Sequence, residues 1–155
     1  MPEWSVPPPP RRDATLEGGG LEVLLVRWDP TLGVAFISHP WGLVLGTPAE
    51  VESWRAELFT KLGVIEQERG GRFPIVVCVD GVMIRPCVAE EYGKTARAYS
   101  ERFAKCLARY SHKPNGVGQM IAAVAMNEGF RANLFTSRSD AVAHALASPG
   151  SQRPA

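Results

Sequence analysis

Pro74-Ile75-Val76-Val77-Cys78-Val79-Asp80-Gly81 contains the most apolar strand-like run in the chain, Ile75 to Val79, and that run does not alternate. A β-branched run favours an extended backbone, and without polar alternation it suits a strand covered on both faces. Pro74 lacks an amide donor and opens the run; Asp80-Gly81 has turn chemistry and closes it. A strand buried on both sides belongs in the middle of a sheet flanked by helices, so the fold class is α/β.

Working upstream, Thr47-Pro48-Ala49-Glu50 pairs an N-cap Thr with a first-turn Pro and a Glu three residues on, which is a capping box. Val51, Trp54, Leu58, Leu62 and Ile65 then recur at three- and four-residue steps and predict one buried helical stripe. Gly70-Gly71 ends that helix, and Gly63 is its weak point. Before it, Glu22–Trp28 and Val34–Ser38 read as strands joined by the turn Asp29-Pro30-Thr31-Leu32-Gly33, a hairpin. His39-Pro40-Trp41-Gly42 breaks the second strand, and Leu43–Leu45 is a short extension.

Downstream, Pro86 suits the first turn of a second helix, with Val88, Tyr92, Thr95 or Ala96, Tyr99 and Phe103 inward. Its acidic residues come early and its basic ones late, matching the helix dipole. Cys106–Tyr110 reads as a fourth strand and Lys113–Gly118 as a loop. Gln119–Asn127 is a third helix with Met120, Ile121, Val124 and Ala125 inward. Ala132–Phe135 is a fifth strand. Ser137 caps a last helix that faces the core with Ala141, Val142, Ala145 and Leu146. The order is β-β-α-β-α-β-α-β-α, a mixed sheet with helices packed on it. The folded unit spans 21–147. It lies between a Pro/Gly-rich leader (1–20, with Pro7–Pro10) and a tail (148–155). The proline run reads as a solvated leader, with a ligand for a proline-reading domain as the alternative.

At 155 residues the chain suits one domain. Lys plus Arg number 17 against 16 Asp plus Glu, so no general field draws the chain to nucleic acid or an anionic membrane. No apolar run approaches the roughly 20 residues of a membrane span, and no secretory signal opens the chain. Cys78, Cys87 and Cys106 form no CxxC pair, which argues for free thiols in a reducing compartment, hence the cytoplasm. Each is expected to be a small buried hydrophobe.

Signs of chemistry are sparse. Cys87 lies near a helix start beside Arg85, where a thiol turns nucleophilic, but nothing ties His39, His112 or His144 to it as a base. A packing role is expected. The scattered His and Cys show no metal-ligand spacing, so no metal or cofactor is expected, and each His reads as a surface or capping residue. Asn115-Gly116-Val117-Gly118 lacks the Lys-Ser/Thr of a phosphate loop and reads as a tight turn. Lys94, Arg97, Arg102, Lys105 and Arg109 form a basic flank diluted by Glu90, Glu91 and Glu101, a solvated face. Trp41 reads equally well as an exposed interaction anchor or as a buried plug.

The element order resembles the STAS domain, the fold of anti-sigma-factor antagonists and sulfate-transporter tails, and is most similar to small sporulation anti-anti-sigma-factor-like proteins. Three stretches carry the resemblance: Ile75–Ile84 (IVVCVDGVMI), Leu134–Arg138 with Ala141, and Arg109-Tyr110-Ser111. It implies a regulatory module that acts by docking another protein, on the surface formed by Asp80, Gly81, Arg85, Cys87, Glu90 and Glu91. In regulatory members a serine at the matching helix start is phosphorylated. Here Arg85-Pro86-Cys87-Val88-Ala89 has none, so that switch is expected to be absent. The reading is a non-enzymatic binding module with a protein partner. The alternatives are a small-molecule (nucleotide or lipid) binder or small enzyme using a cleft lined by Trp54, Tyr92, Tyr99 and Phe103, and a homodimer formed through the first hairpin.

Overall fold

The structure, a computed structural model, describes residues 24–112 and 116–147. Residues 1–23, which take in the proline-rich leader and the start of the strand expected at Glu22–Trp28, the tail at 148–155 and Lys113–Asn115 lie outside the described residues. Two strands open the fold, β1 (Leu25–Asp29) and β2 (Val34–Ser38), paired antiparallel. The Asp29 carboxylate closes their turn by accepting from the Thr31 and Leu32 amides. There follow β3 (Leu43–Leu45), α1 (Pro48–Arg69), β4 (Phe73–Cys78), β5 (Val82–Ile84) and a 3-10 turn at Pro86–Val88. The chain then continues through α2 (Ala89–Phe103), β6 (Ala104–Tyr110), α3 (Gly116–Glu128), β7 (Leu134–Phe135) and α4 (Arg138–Ala145).

The main sheet has the order β1-β2-β4-β6-β7, parallel from β2 onward. Its mixed character follows from one hairpin feeding three crossovers. Each crossover steps to the next strand in the same direction, so right-handed connections place α1, α2 and α3 on one face. Their inward residues share a single core with Ile37, Phe73, Ile75, Val77 and Leu107. The opposite face carries α4, whose Ala141 and Ala145 pack with Val34, Val76, Cys106, Ala108 and Tyr110. β4 is accordingly central and covered on both sides: Ile75 and Val76 are fully buried.

The α1 stripe is buried at all five predicted positions, and the Thr47–Glu50 capping box forms. Gly63 does not interrupt the helix, which runs on to a left-handed Gly70. Other expectations are corrected. Ala132 and Asn133 are not in β7, which has two residues. The third helix begins at Gly116, inside the expected loop. Leu146 is exposed just past the end of α4, and Val142 is only half-buried because the helix turns Ala141 and Ala145 to the sheet. Val82–Ile84, which no element was expected to occupy, pairs in parallel with Leu43–Leu45 as a separate two-stranded ribbon. Among the described residues no helix is long and apolar enough to cross a membrane.

Candidate functional site

Two turns meet where the chain leaves the main sheet for the ribbon. After β4, the Val79 amide donates to the Tyr110 carbonyl, and Asp80-Gly81 then reverses the chain. Gly81 has φ +83°, and a Cβ there would lie 3.3 Å from the His39 carbonyl oxygen and 3.4 Å from Gly42 Cα. Glycine therefore meets a backbone requirement and a contact requirement at once. The Leu43 amide donates to the Gly81 carbonyl, which joins the turn after β2 to the turn after β4.

β4 and β6 run parallel with Cys78 opposite Tyr110. Two residues on, this register brings Asp80 beside His112. Asp80 Oδ1 accepts from Ser111 Oγ at 2.8 Å and from the His112 amide at 3.1 Å. Oδ2 faces His112 Nδ1 at 2.9 Å and Cys78 Sγ at 3.5 Å. Burial pushes the Asp80 carboxyl up, but the Ser111 and His112 hydrogen bonds outweigh it and hold it below the ordinary carboxylate value. Burial pushes the Cys78 thiol up. The His112 side chain is exposed, so the cluster opens to solvent. Asp80 thus spends its oxygens on its own chain.

Of the other candidate residues, Trp41, Arg85 and Cys87 lie at the ribbon. Val44 and Met83 are register partners on its outer face, 48% and 54% exposed, while Leu43, Leu45, Val82 and Ile84 point inward. Trp41, before β3, is 41% exposed and so is not a buried plug. Arg85 donates its amide to the Leu45 carbonyl and lays its side chain over Gly46. Cys87 is exposed, not packed, and its thiol donates to the Gly46 carbonyl at 3.3 Å. Glu90 and Glu91 are exposed at the start of α2, where Glu90 pairs with Lys94 at 3.1 Å.

Among the described residues three polar ones are buried, and two correct the sequence reading. His39 is a core residue, not a surface or capping one. Its Nδ1 faces the Cys78 carbonyl, which can only accept, so Nδ1 carries the proton; burial lowers its pKa to about 4. Arg109 is not part of a basic flank. It lies on β6 beneath α2, 1% exposed, donating Nη1 to the Ala132 carbonyl at 2.9 Å and facing the Phe130 ring. Of that flank, Lys94, Arg97 and Arg102 each pair with a glutamate. Thr95, the third, lies on the inner face of α2.

Trp54, Tyr92 and Tyr99 do line a cavity with His39, Ile37, Leu43 and Leu58, with the Trp54 and Tyr92 rings stacked at 5.4 Å. Phe103 turns away to Phe59 and Phe73. The cavity holds about 10 Å³, room for roughly one water and far below a ligand pocket of several hundred Å³.

No family model matches this chain, and no curated protein or solved structure matches it. The site residue that sequence reasoning missed is His112. Its signal was the parallel register of two strands that both end in polar residues, Asp80 on one and Ser111-His112 on the other.

Proposed function

We propose that the chain is a non-enzymatic binding module that docks a partner protein through the β3–β5 ribbon, in the manner of a STAS-like regulatory domain. The finer resemblance is supported by the hairpin followed by parallel βα units, with IVVCVDGVMI running from the central strand into the ribbon. One observation carries the reading: Val44 and Met83 stand side by side, half exposed, on strands whose alternate residues are anchored in the core. Apolar side chains held rigidly at the surface, with Trp41 beside them, lose little conformational entropy on binding and form the kind of patch that partners cover. The fitting partner is a protein segment that presents apolar side chains to this patch.

A photo-crosslinking side chain at position 44, compared with one at the equally exposed Val64 of α1, tests this in cells. A discrete protein adduct at 44, absent at 64 and lost on Met83→Asp, supports docking. An adduct shared with position 64, one that survives Met83→Asp, or no adduct at 44 overturns it.

A further inference from the structure

The Cys78, Asp80 and His112 cluster takes no part in the docking reading, and its chemistry points elsewhere. The thiol sulfur, one carboxylate oxygen and one imidazole nitrogen all lie within 4.8 Å of one another. They come from adjacent parallel strand ends that are held in register by backbone hydrogen bonds. We propose that they form a binding site for a thiophilic divalent cation, Zn2+ by donor chemistry.

The distances bring the donors near the edges of a zinc shell. Zinc bonds of roughly 2.3 Å to sulfur and 2.0–2.2 Å to nitrogen and oxygen put tetrahedral ligands about 3.4–3.6 Å apart. Sγ to Oδ2 is 3.5 Å and Oδ2 to Nδ1 is 2.9 Å, while all three atoms lie within 4.8 Å of one another, so binding opens the carboxylate–imidazole edge by about half an ångström and draws the sulfur and nitrogen to a common centre. A mixed sulfur, nitrogen and oxygen set favours zinc-like ions over magnesium or calcium, which prefer oxygen alone. The second shell is present too. Ser111 Oγ holds Oδ1 at 2.8 Å, and the His112 amide is shared between Oδ1 at 3.1 Å and Oδ2 at 3.3 Å, which orients the carboxylate.

Without the ion, protons occupy its place: the Cys78 thiol and the protonated Nδ1 both point at Oδ2. Binding deprotonates the thiol and moves the neutral imidazole's one proton from Nδ1 to Nε2. The balance is one proton released per ion bound, and affinity weakens on acidification. Three protein ligands leave a fourth position for water or a partner's side chain.

The reduced full chain titrated with Co2+ as a spectroscopic probe tests the site. The expected result is one ion per chain, a thiolate-to-metal charge-transfer band with tetrahedral visible bands, and displacement by Zn2+. Cys78→Ser removes the charge-transfer band, and Cys87→Ser leaves it intact. His112→Ala, a change at an exposed side chain that the fold tolerates, weakens binding by about ten-fold or more. Absence of the band at millimolar Co2+, its loss in Cys87→Ser with retention in Cys78→Ser, or unchanged affinity in His112→Ala overturns the assignment. The cluster is then a plain aspartate–histidine hydrogen bond. Neither result bears on the ribbon, whose crosslink is read separately.

Discussion

β4 and β5 are joined by a short turn and are both rich in apolar residues, yet one is buried at the centre of the main sheet and the other half faces solvent. The difference is visible in the burial of successive residues. Ile75, Val76 and Val77 are 0%, 0% and 4% exposed; Val82, Met83 and Ile84 are 9%, 54% and 6% exposed. β4 has a strand on each side and helices on both faces. β5 has a single three-residue partner and covers the end of the core with one face only. Apolar content alone does not separate the two; the alternation does.

The comparison breaks most readily by truncating one side chain from each strand. Ile75→Ala should cost about 2–5 kcal/mol in urea unfolding, whereas Met83→Ala should stay within about 0.5 kcal/mol. Similar losses for both would mean that the ribbon is as much a part of the core as β4.

The junction between the two regions should respond to acid. His39 sits there with its folded pKa lowered from 6.5 to about 4 by burial. Between those values the unfolded chain binds the proton and the folded chain does not. Stability should therefore be flat above pH 6.5 and fall by about 3 kcal/mol as the pH drops towards 4. His39→Leu should flatten that slope. Asp80 has a lowered pKa, so its contribution is lost only at lower pH, below the ordinary carboxylate value. Denaturation midpoints measured from pH 7 to 3 separate the two.

Gly81→Ala should cost about 1–3 kcal/mol, because φ +83° strains any Cβ and the His39 carbonyl stands 3.3 Å from it. A melting curve against the same change at Gly63, whose Cβ would meet open space, sharpens the point: there the substitution should stabilise by up to roughly 1 kcal/mol. The smallest effect is expected for Val44→Ser with Met83→Ser, within about 0.5 kcal/mol of wild type in thermal unfolding.

The α1 stripe and the burial of β4 were legible in the sequence because each rests on a local pattern: a capping box before a 3.6-residue period, and a run with no period at all. The ribbon was not. Val82–Ile84 is too short to show a period, and its partner, Leu43–Leu45, lies across the whole of α1. Arg109 was misread because the helical pattern of α2 runs on into β6, so a strand residue facing inward looked like part of an outer helical flank. The Asp80–His112 pairing depends on the register between β4 and β6, which neither strand encodes alone. Cys87 went the other way: proximity to a helix start says nothing about whether the ribbon will cover it.

The second face of the main sheet has a different vulnerability. Among the described residues α4 is the one helix on it, eight residues long, and it touches the sheet mainly through two alanines. Every other layer is complete before this helix emerges during synthesis. Until it arrives, Val34, Val76 and Ala108 line a bare apolar wall, so a chain cut between β7 and α4 would keep its larger core and still be drawn into clumps.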